Sequence, residues 1–163
     1  MPKTAPYFLL LLALLAATCD GAGRTLNTGA VAPDFVAVRL DGTPARFPDD
    51  FRGKPVVLRF WADWCPYCRG EMLAIERVRQ RRPGLVVLAV NVGQDRKMVA
   101  KFVEETGVGF LELLDEQSTV GNLYGVSALP TTFFVAADGV IKTKVVGEVD
   151  EGTFDRLAGA LLR

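Results

Sequence analysis

The sequence contains no histidine among its 163 residues. Histidine is the commonest metal ligand and the commonest general base, so its absence excludes every Ser–His or Cys–His catalytic pair. The formal net charge is zero, from 19 basic and 19 acidic residues, whereas a nucleic-acid-binding protein needs a basic face for the phosphates. Only three cysteines, Cys19, Cys65 and Cys68, remain to carry special chemistry.

The chain begins with the pattern of an export signal. Lys3 precedes an apolar run from Tyr7 to Ala17, "YFLLLLALLAA", which is shorter than the roughly 20 residues needed to span a bilayer. A short apolar run after a basic start is typical of a secretory signal peptide. We therefore predict a signal peptide at residues 1–18 and a mature domain outside the cytoplasm.

Cys19 follows this run in the stretch "LAATCD". The stretch resembles the lipobox of bacterial lipoproteins, although Ala16 and Thr18 stand where lipoboxes favour Leu and Gly, Ala or Ser. The resemblance implies lipidation of Cys19 and a tether over residues 19–30, on the periplasmic face of the inner membrane. Cleavage slightly downstream, which would discard Cys19, is the alternative.

From residue 31 to residue 163 the sequence alternates predicted strands and helices without a second linker, which predicts a single α/β domain with helices on both faces of its sheet. Asp-Gly pairs mark two hairpins. The predicted elements are a hairpin at Asp41-Gly42, strand Pro55–Trp61, helix Pro66–Arg82, strand Leu85–Val92, helix Lys97–Thr106, strand Phe110–Leu114, helix Thr119–Tyr124, a hairpin at Asp138-Gly139 and helix Glu151–Leu162.

The stretch "FWADWCPYC" places Cys65 and Cys68 three positions apart, directly after a predicted buried strand and at the start of a helix. A structural zinc site usually needs four Cys or His ligands, and the chain offers two or three, so we expect no metal. A structural disulfide would close a very small loop and therefore stabilise little. The position at a strand-to-helix junction favours a redox pair.

The predicted helix start gives the two cysteines different roles. A helix N-terminus carries partial positive charge, which stabilises a thiolate and lowers the thiol pKa. Arg69 adds a cation four residues after Cys65, and Pro66 suits the first helical turn. We therefore predict that Cys65 is the exposed nucleophile and that Cys68 is more buried and reacts second.

"FWADWCPYC", together with "VSALPTTFFVAADG", resembles the thioredoxin-fold thiol–disulfide oxidoreductases. "VAPDF" with its hairpin, the stretch "VNVGQD…KFVEETGVGFLELLDE" and the signal peptide resemble the membrane-tethered TlpA/ResA branch. The resemblance implies a thioredoxin-like fold with a central mixed sheet, an N-terminal β-hairpin and a central insert. It also implies a protein-disulfide reductase whose only redox group is the disulfide, with no separate cofactor.

The resemblance assigns roles by position. Cys65 attacks, Cys68 resolves, and Glu71 matches an acidic residue that this branch places three positions after the second cysteine. The proline matching Pro130 is cis in this family and lies opposite the pair. Trp61 is expected either to flank the site or to pack in the core. The expected substrate-docking residues are Trp64, Pro66, Tyr67, Leu129, Pro130 and Thr131.

Two features depart from the family pattern. Arg59 stands where thioredoxins carry a buried Asp and this branch often has Asn. A buried charge is costly unless paired, so we expect Arg59 to pair with Glu71 or to tune Cys68, unless it reaches water from the strand end. Pro66-Tyr67 is the glutaredoxin dipeptide, which leaves the direction of electron flow between reductase and oxidase open.

Other classes fit less well. Peroxiredoxins also begin with "APDF", but their reactive cysteine follows a Thr-x-x pattern, and a thioredoxin-fold copper chaperone would use C-x-x-x-C with a histidine. A non-catalytic binding module would not need both cysteines at a helix start. The resemblance implies protein disulfides as substrates, apocytochrome c among them, and a membrane thiol transporter as electron donor. A disulfide oxidase or isomerase of the same fold is the alternative.

Overall fold

The structure is a computed structural model that describes residues 26–163. The predicted signal peptide and Cys19 lie outside the described residues. No helix within residues 26–163 is both long and apolar enough to cross a membrane. The strands are β1 (Phe35–Arg39), β2 (Pro44–Phe47), β3 (Val56–Trp61), β4 (Val86–Val92), β5 (Leu111–Asp115), β6 (Thr131–Val135) and β7 (Ile141–Val146). The helices are α1 (Cys68–Arg81), α2 (Arg96–Thr106), α3 (Thr119–Leu123) and α4 (Glu151–Leu161), with a short 3₁₀ turn at Asp49–Phe51.

The seven strands form one mixed sheet in the order β2-β1-β5-β4-β3-β6-β7. The central strands β3, β4 and β5 run parallel, and β6 pairs antiparallel with β3. The hairpin β1–β2 extends one edge through an antiparallel pairing of β1 with β5, and β7 closes the other edge. The predicted mixed α/β sheet of thioredoxin type is confirmed.

Helices cover both faces of the sheet, as predicted. Along each strand the side chains alternate between the two faces, and two apolar clusters result. One lies under α1, α2 and α4, where Met72, Phe102 and Phe154 are buried. The other lies under α3 and the 3₁₀ turn, where Phe51 and Val120 are buried. Burial of these clusters supplies the main driving force for folding.

The chain already packs against the domain at residues 26–32. Leu26 is buried in the cluster under α3. The Gly29 N–H donates to the Ile141 carbonyl at 2.8 Å, and Val31 bridges to Val140. Residues 26–30, which the sequence assigned to the tether, therefore lie against the β6–β7 hairpin.

The first helix begins later than predicted. Pro66 and Tyr67 form a turn in which the Cys68 N–H donates to the Cys65 carbonyl at 3.1 Å. The helix therefore starts at Cys68, and Pro66 lies outside its first turn. The second helix starts at Arg96 because the Asp95 carboxylate accepts the Met98 N–H at 2.9 Å, which is an N-cap.

Candidate active site

Cys65 and Cys68 lie where the carboxyl end of β3 leads into α1. They are joined by a disulfide, with their Cα atoms 5.4 Å apart. Cys68 is the first residue of α1, so the pair meets the end of the helix where backbone N–H groups are free and the helix dipole is positive. The predicted position at a strand-to-helix junction is confirmed.

The predicted exposure of Cys65 is wrong for the disulfide form. Cys65 is only 3% exposed and Cys68 is fully buried. The disulfide holds both cysteines in the apolar cluster that also contains Trp61 and Met72. The neighbouring side chains of Trp64 and Tyr67 are instead exposed, at 69% and 57%.

Arg59 and Glu71 form a buried ion pair between the middle of β3 and the first turn of α1. Both side chains are almost fully inaccessible, and the Arg59 Nη1 also donates to the Thr132 hydroxyl at 2.6 Å. Glu71 Oε1 accepts the Val149 N–H at 2.9 Å. The expected pairing of Arg59 with Glu71 is present, and Arg59 does not reach water.

Burial and charge oppose each other at this pair. Burial raises the pKa of Glu71 from its ordinary value of 4.5, and the Arg59 guanidinium limits the rise. Burial also lowers the pKa of Arg59, which the Glu71 carboxylate counteracts. Exposed Glu148 adds to the rise of the Glu71 pKa by repulsion. Arg59 therefore favours the charged form of Glu71 against the effect of burial.

The proline loop carries the expected cis bond between Leu129 and Pro130. Leu129 packs against both apolar clusters. The Pro130 carbonyl accepts the Gly147 N–H at 2.8 Å, and the Thr131 hydroxyl donates to the Ala128 carbonyl at 2.7 Å. These bonds fix the shape of the loop, and Leu129, Pro130 and Thr131 stay predicted docking residues.

Arg69 contacts two side chains of α2, which belongs to the central insert. Its guanidinium bonds Glu105 of α2 at 2.8 Å and lies 4.8 Å from the centroid of the Phe102 ring. The expected cation beside Cys65 is therefore paired with an acidic side chain.

Sequence reasoning missed the residue that anchors the active-site loop. Gln94 Oε1 accepts the Asp63 N–H at 2.7 Å and the Asn91 side-chain N–H at 2.9 Å. Gln94 therefore ties the end of β4 to the loop that carries Cys65. A glutamine shortly after a predicted buried strand, in "VNVGQD", is the signal that could have identified it.

Sequence reasoning also missed Glu112 on β5. Its Oε2 accepts the Trp61 indole N–H at 3.1 Å, and its pKa is raised well above 4.5 by burial. Trp61 is fully buried, which agrees with a packing role rather than an exposed platform. No motif marks Glu112, because a lone glutamate in "FLELL" is typical of a strand with one side in water.

Within residues 26–163 no group of three or more His, Cys, Asp or Glu side chains could hold a metal ion. The site combines a disulfide at a helix start, a buried carboxylate one turn further on and a cis-proline loop. On a mixed sheet of this topology they define a thioredoxin-fold thiol–disulfide oxidoreductase.

Comparison with known proteins agrees with this class. The chain belongs to the AhpC/TSA family, whose model matches residues 28–144. It is 41% identical over 145 residues to the thiol-disulfide oxidoreductase ResA of Geobacillus thermodenitrificans, covering 85% of this chain and 83% of that protein. It is 33% identical over 124 residues to the thiol:disulfide interchange protein DsbE of Pseudomonas fluorescens, covering 76% of this chain and 68% of that protein.

A solved structure supports the same conclusion. The chain superposes with a TM-score of 0.72 on a secreted Mycobacterium tuberculosis disulfide oxidoreductase that is homologous to E. coli DsbE. The two are 28% identical, and the match covers 78% of this chain and 96% of that one. The expected thiol–disulfide oxidoreductase activity and the ResA-like branch are confirmed.

Proposed function

We propose that this protein reduces disulfides of other proteins outside the cytoplasm. The observation that carries the direction is that the chain contains no histidine that could stabilise the Cys65 thiolate. A strong oxidant owes its potential to stabilisation of its reduced, thiolate form. Here the cation nearest to Cys65 in sequence is paired with a carboxylate, and the chain has no histidine to replace it.

The reaction proceeds by two thiol–disulfide exchanges. The Cys65 thiolate attacks one sulfur of the partner disulfide, a mixed disulfide forms, and the other partner sulfur leaves as a thiolate. Cys68 then loses its proton and attacks the Cys65 sulfur, which releases the second partner sulfur. Two electrons pass to the partner, and the Cys65–Cys68 disulfide is restored.

Glu71 serves as the proton acceptor for Cys68. It lies one helical turn after Cys68 on the same side of α1, and its burial in the same part of the core supports this role. Its raised pKa brings it closer to that of a thiol than an exposed glutamate would be. Arg59 holds the carboxylate in place.

An extended segment of the partner docks beside the pair. The exposed side chains of Trp64, Pro66 and Tyr67 offer a contact surface. The Leu129 backbone lies beside the cis-proline and supplies hydrogen bonds to the segment. Pro130 and Thr131 shape this loop from inside.

Apocytochrome c is the proposed substrate, since its Cys-x-x-Cys-His motif must be reduced before haem attaches. A membrane thiol transporter is the proposed electron donor, and the protein needs no cofactor beyond its own disulfide. The similarity to ResA and DsbE supports this assignment. Lipidation of Cys19 would anchor the protein on the periplasmic face of the inner membrane.

A glutathione redox titration of the purified protein, followed by Trp fluorescence, tests the direction. We expect a potential near that of thioredoxin, about −270 mV. A potential near about −120 mV, that of DsbA, would instead assign an oxidase. The Pro66-Tyr67 dipeptide is the feature that favours the oxidase alternative.

Trapping separates the roles of the two cysteines. Cys68→Ser should accumulate mixed disulfides through Cys65 when mixed with an oxidised Cys-x-x-Cys-His peptide, while Cys65→Ser should accumulate none. Full reductase activity of Cys65→Ser toward a model disulfide would contradict the assignment.

Rapid kinetics test Glu71. Glu71→Gln should slow the resolution of the mixed disulfide more than its formation, because only resolution requires Cys68 to lose a proton. Equal slowing of both steps would assign Glu71 a structural role.

Mass spectrometry of the mature N-terminus tests the anchor. A lipidated Cys19 as first residue is expected, and an unmodified terminus beyond residue 19 would exclude it.

A further inference from the structure

Glu112 is a buried carboxyl group for which the exchange reaction has no use. It lies on β5 opposite Ala89 of β4 and is 4% exposed. Its Oε2 accepts the Trp61 N–H at 3.1 Å, and Oε1 is buried without a hydrogen-bond partner among the described residues. No lysine or arginine of residues 26–163 forms an ion pair with it.

The indole that Glu112 holds belongs to the environment of the redox pair. Trp61 ends β3 four residues before Cys65, and it lies in one apolar cluster with both cysteines. Its ring packs on Phe102 of α2 with centroids 4.3 Å apart. Two residues of the central insert therefore hold the indole: Glu112 bonds its N–H, and the Phe102 ring packs against it.

We propose that Glu112 is a positioning residue for the redox pair: its carboxyl group fixes the Trp61 indole against Cys65–Cys68 and thereby favours the disulfide over the dithiol. This inference deepens the proposed function, since it concerns the same exchange site. In the disulfide form both cysteines pack in the cluster with the anchored indole. A buried indole N–H without its acceptor would be costly, so the indole would shift to find another one.

The carboxyl group lies in the core without a counter-ion among the described residues, and burial favours its uncharged form. Burial raises its pKa well above the ordinary value of 4.5. The other charged side chains that line a cavity of about 200 Å³ next to β5 are engaged elsewhere. Arg39 pairs with Asp50, and Asp41 accepts hydrogen bonds from Thr43.

Two substitutions separate the hydrogen bond from the shape of the side chain. Glu112→Gln keeps an oxygen that can accept the indole N–H, whereas Glu112→Leu keeps the approximate volume and removes the acceptor. We expect the equilibrium constant with glutathione to stay within about twofold for Glu112→Gln. For Glu112→Leu the equilibrium constant should shift about fivefold toward the dithiol. The reason is that the loss of one buried hydrogen bond destabilises the disulfide form more than the dithiol form.

Fluorescence gives a second readout. Trp61 and Trp64 are the only tryptophans, so Trp64→Phe leaves Trp61 as the single reporter in each variant. In this background Glu112→Gln should leave the Trp61 emission maximum and the emission ratio of reduced to oxidised protein unchanged, whereas Glu112→Leu should alter both. An unchanged ratio in Glu112→Leu would overturn the proposal.

A double-mutant cycle distinguishes an effect that acts through the Trp61 indole from a purely structural effect of the substitution. In a Trp61→Phe background the indole donor is absent, so Glu112→Leu should no longer shift the glutathione equilibrium. Should Glu112→Leu fail to fold, Trp61→Phe alone should shift the equilibrium toward the dithiol. A shift in Glu112→Gln as large as in Glu112→Leu, or an equal shift with and without Trp61, would overturn the proposal.

These outcomes are independent of the direction of electron flow. A potential near that of DsbA would contradict the reductase assignment, yet the difference between the Glu112→Gln and Glu112→Leu variants would still report on Glu112.

Discussion

The two faces of the sheet are built from different kinds of side chain. The face under α3 is packed by aromatic and aliphatic residues such as Leu58, Phe60 and Phe133. Buried polar groups on this face have partners in several cases, as when the Tyr124 hydroxyl donates to the Pro33 carbonyl at 2.7 Å. The face under α1 instead buries charged and polar side chains in its middle, namely Arg59, Glu71, Asn91, Glu112 and Thr132.

The face under α1, called the polar face below, also contains buried polar atoms that lack a hydrogen-bond partner among the described residues. Arg59 Nε, Asn91 Oδ1 and Glu112 Oε1 are buried without hydrogen-bond partners among the described residues. Such groups are costly in an apolar core. These three lie on the face whose apolar cluster contains the two cysteines, whereas Arg39 Nε of β1, which is also without a partner among the described residues, lies on the other face. The face under α1 therefore carries most of the buried charges, and its apolar cluster also contains Cys65 and Cys68.

Removing the cation from the polar face should have the largest effect. Arg59→Met leaves the Glu71 carboxylate buried without its partner, which costs about 3–5 kcal/mol of unfolding free energy. The pKa of Glu71 should rise further, because Arg59 is what limits its rise. Urea unfolding of the oxidised protein measures the loss of stability.

The control is the double variant Arg59→Met/Glu71→Gln, in which no charge remains and the amide oxygen of the substituted side chain can still accept the Val149 N–H. It should recover most of the lost stability. If Arg59→Met alone is as stable as the natural protein, the ion pair does not hold the polar face together.

A cavity in the face under α3, called the apolar face here, should lower stability without changing the redox equilibrium. Leu58 is fully buried on β3, next to Arg59 but on the opposite face. Leu58→Ala should cost about 2–5 kcal/mol, measured by urea unfolding, while the glutathione equilibrium constant stays within about twofold of the natural protein. A larger change in that constant would show that the two faces are not separate in function.

The pH dependence of stability should show the next largest effect, at the buried carboxyl group of Glu112. Burial raises the pKa of Glu112 above 4.5, so the folded protein keeps a proton that the unfolded chain has lost. This stabilisation is complete below about pH 4.5 and is lost as the pH rises toward the folded pKa, at up to about 1.4 kcal/mol per pH unit. Glu112→Gln has no such proton, so its stability relative to the natural protein should increase with pH.

Glu76 provides a control of opposite sign. The hydrogen bond from Arg79 holds the pKa of Glu76 below 4.5, so its stabilisation is present above that pH and is lost on acidification. Glu76→Gln should therefore be less stable than the natural protein at neutral pH, with a gap that closes as the pH falls. A Glu112→Gln profile parallel to that of the natural protein would show that the Glu112 carboxyl is not protonated in the folded state.

The order of elements and the redox pair could be predicted from the sequence. Strand and helix periodicity, the Asp-Gly hairpins and the C-x-x-C spacing are local signals, and the structure has each element within a few residues of its predicted bounds. The pairing of Arg59 with Glu71 was also within reach, because a charge in a central strand needs a partner and the next helix offers a glutamate.

The contacts of Glu112 with Trp61 and of Gln94 with the active-site loop could not be predicted in this way. Trp61 and Glu112 are 51 residues apart. They meet because of the registers of β3 with β4 and of β4 with β5, which no local pattern specifies. The same holds for Gln94, whose side chain turns back to the Asp63 N–H. The low exposure of Cys65 was not predicted either, because the prediction concerned a free thiol at a helix end and the structure contains the disulfide.

The smallest effect is expected at the exposed edge of the polar face, where Glu105 pairs with Arg69. The Arg69 and Glu105 side chains are 46% and 43% exposed, so solvent and salt screen the pair and its removal should leave stability unchanged. Glu105→Gln frees the charge of Arg69, which should speed alkylation of reduced Cys65 by less than about twofold at low ionic strength. The gain should disappear in 1 M salt, where the Debye length is about 3 Å. Lys101, which is 3.8 Å from Glu105, supplies the control, since Lys101→Gln removes a charge from the same cluster without freeing Arg69. Equal alkylation rates for natural and Glu105→Gln protein at low salt would mean that Arg69 does not act on Cys65.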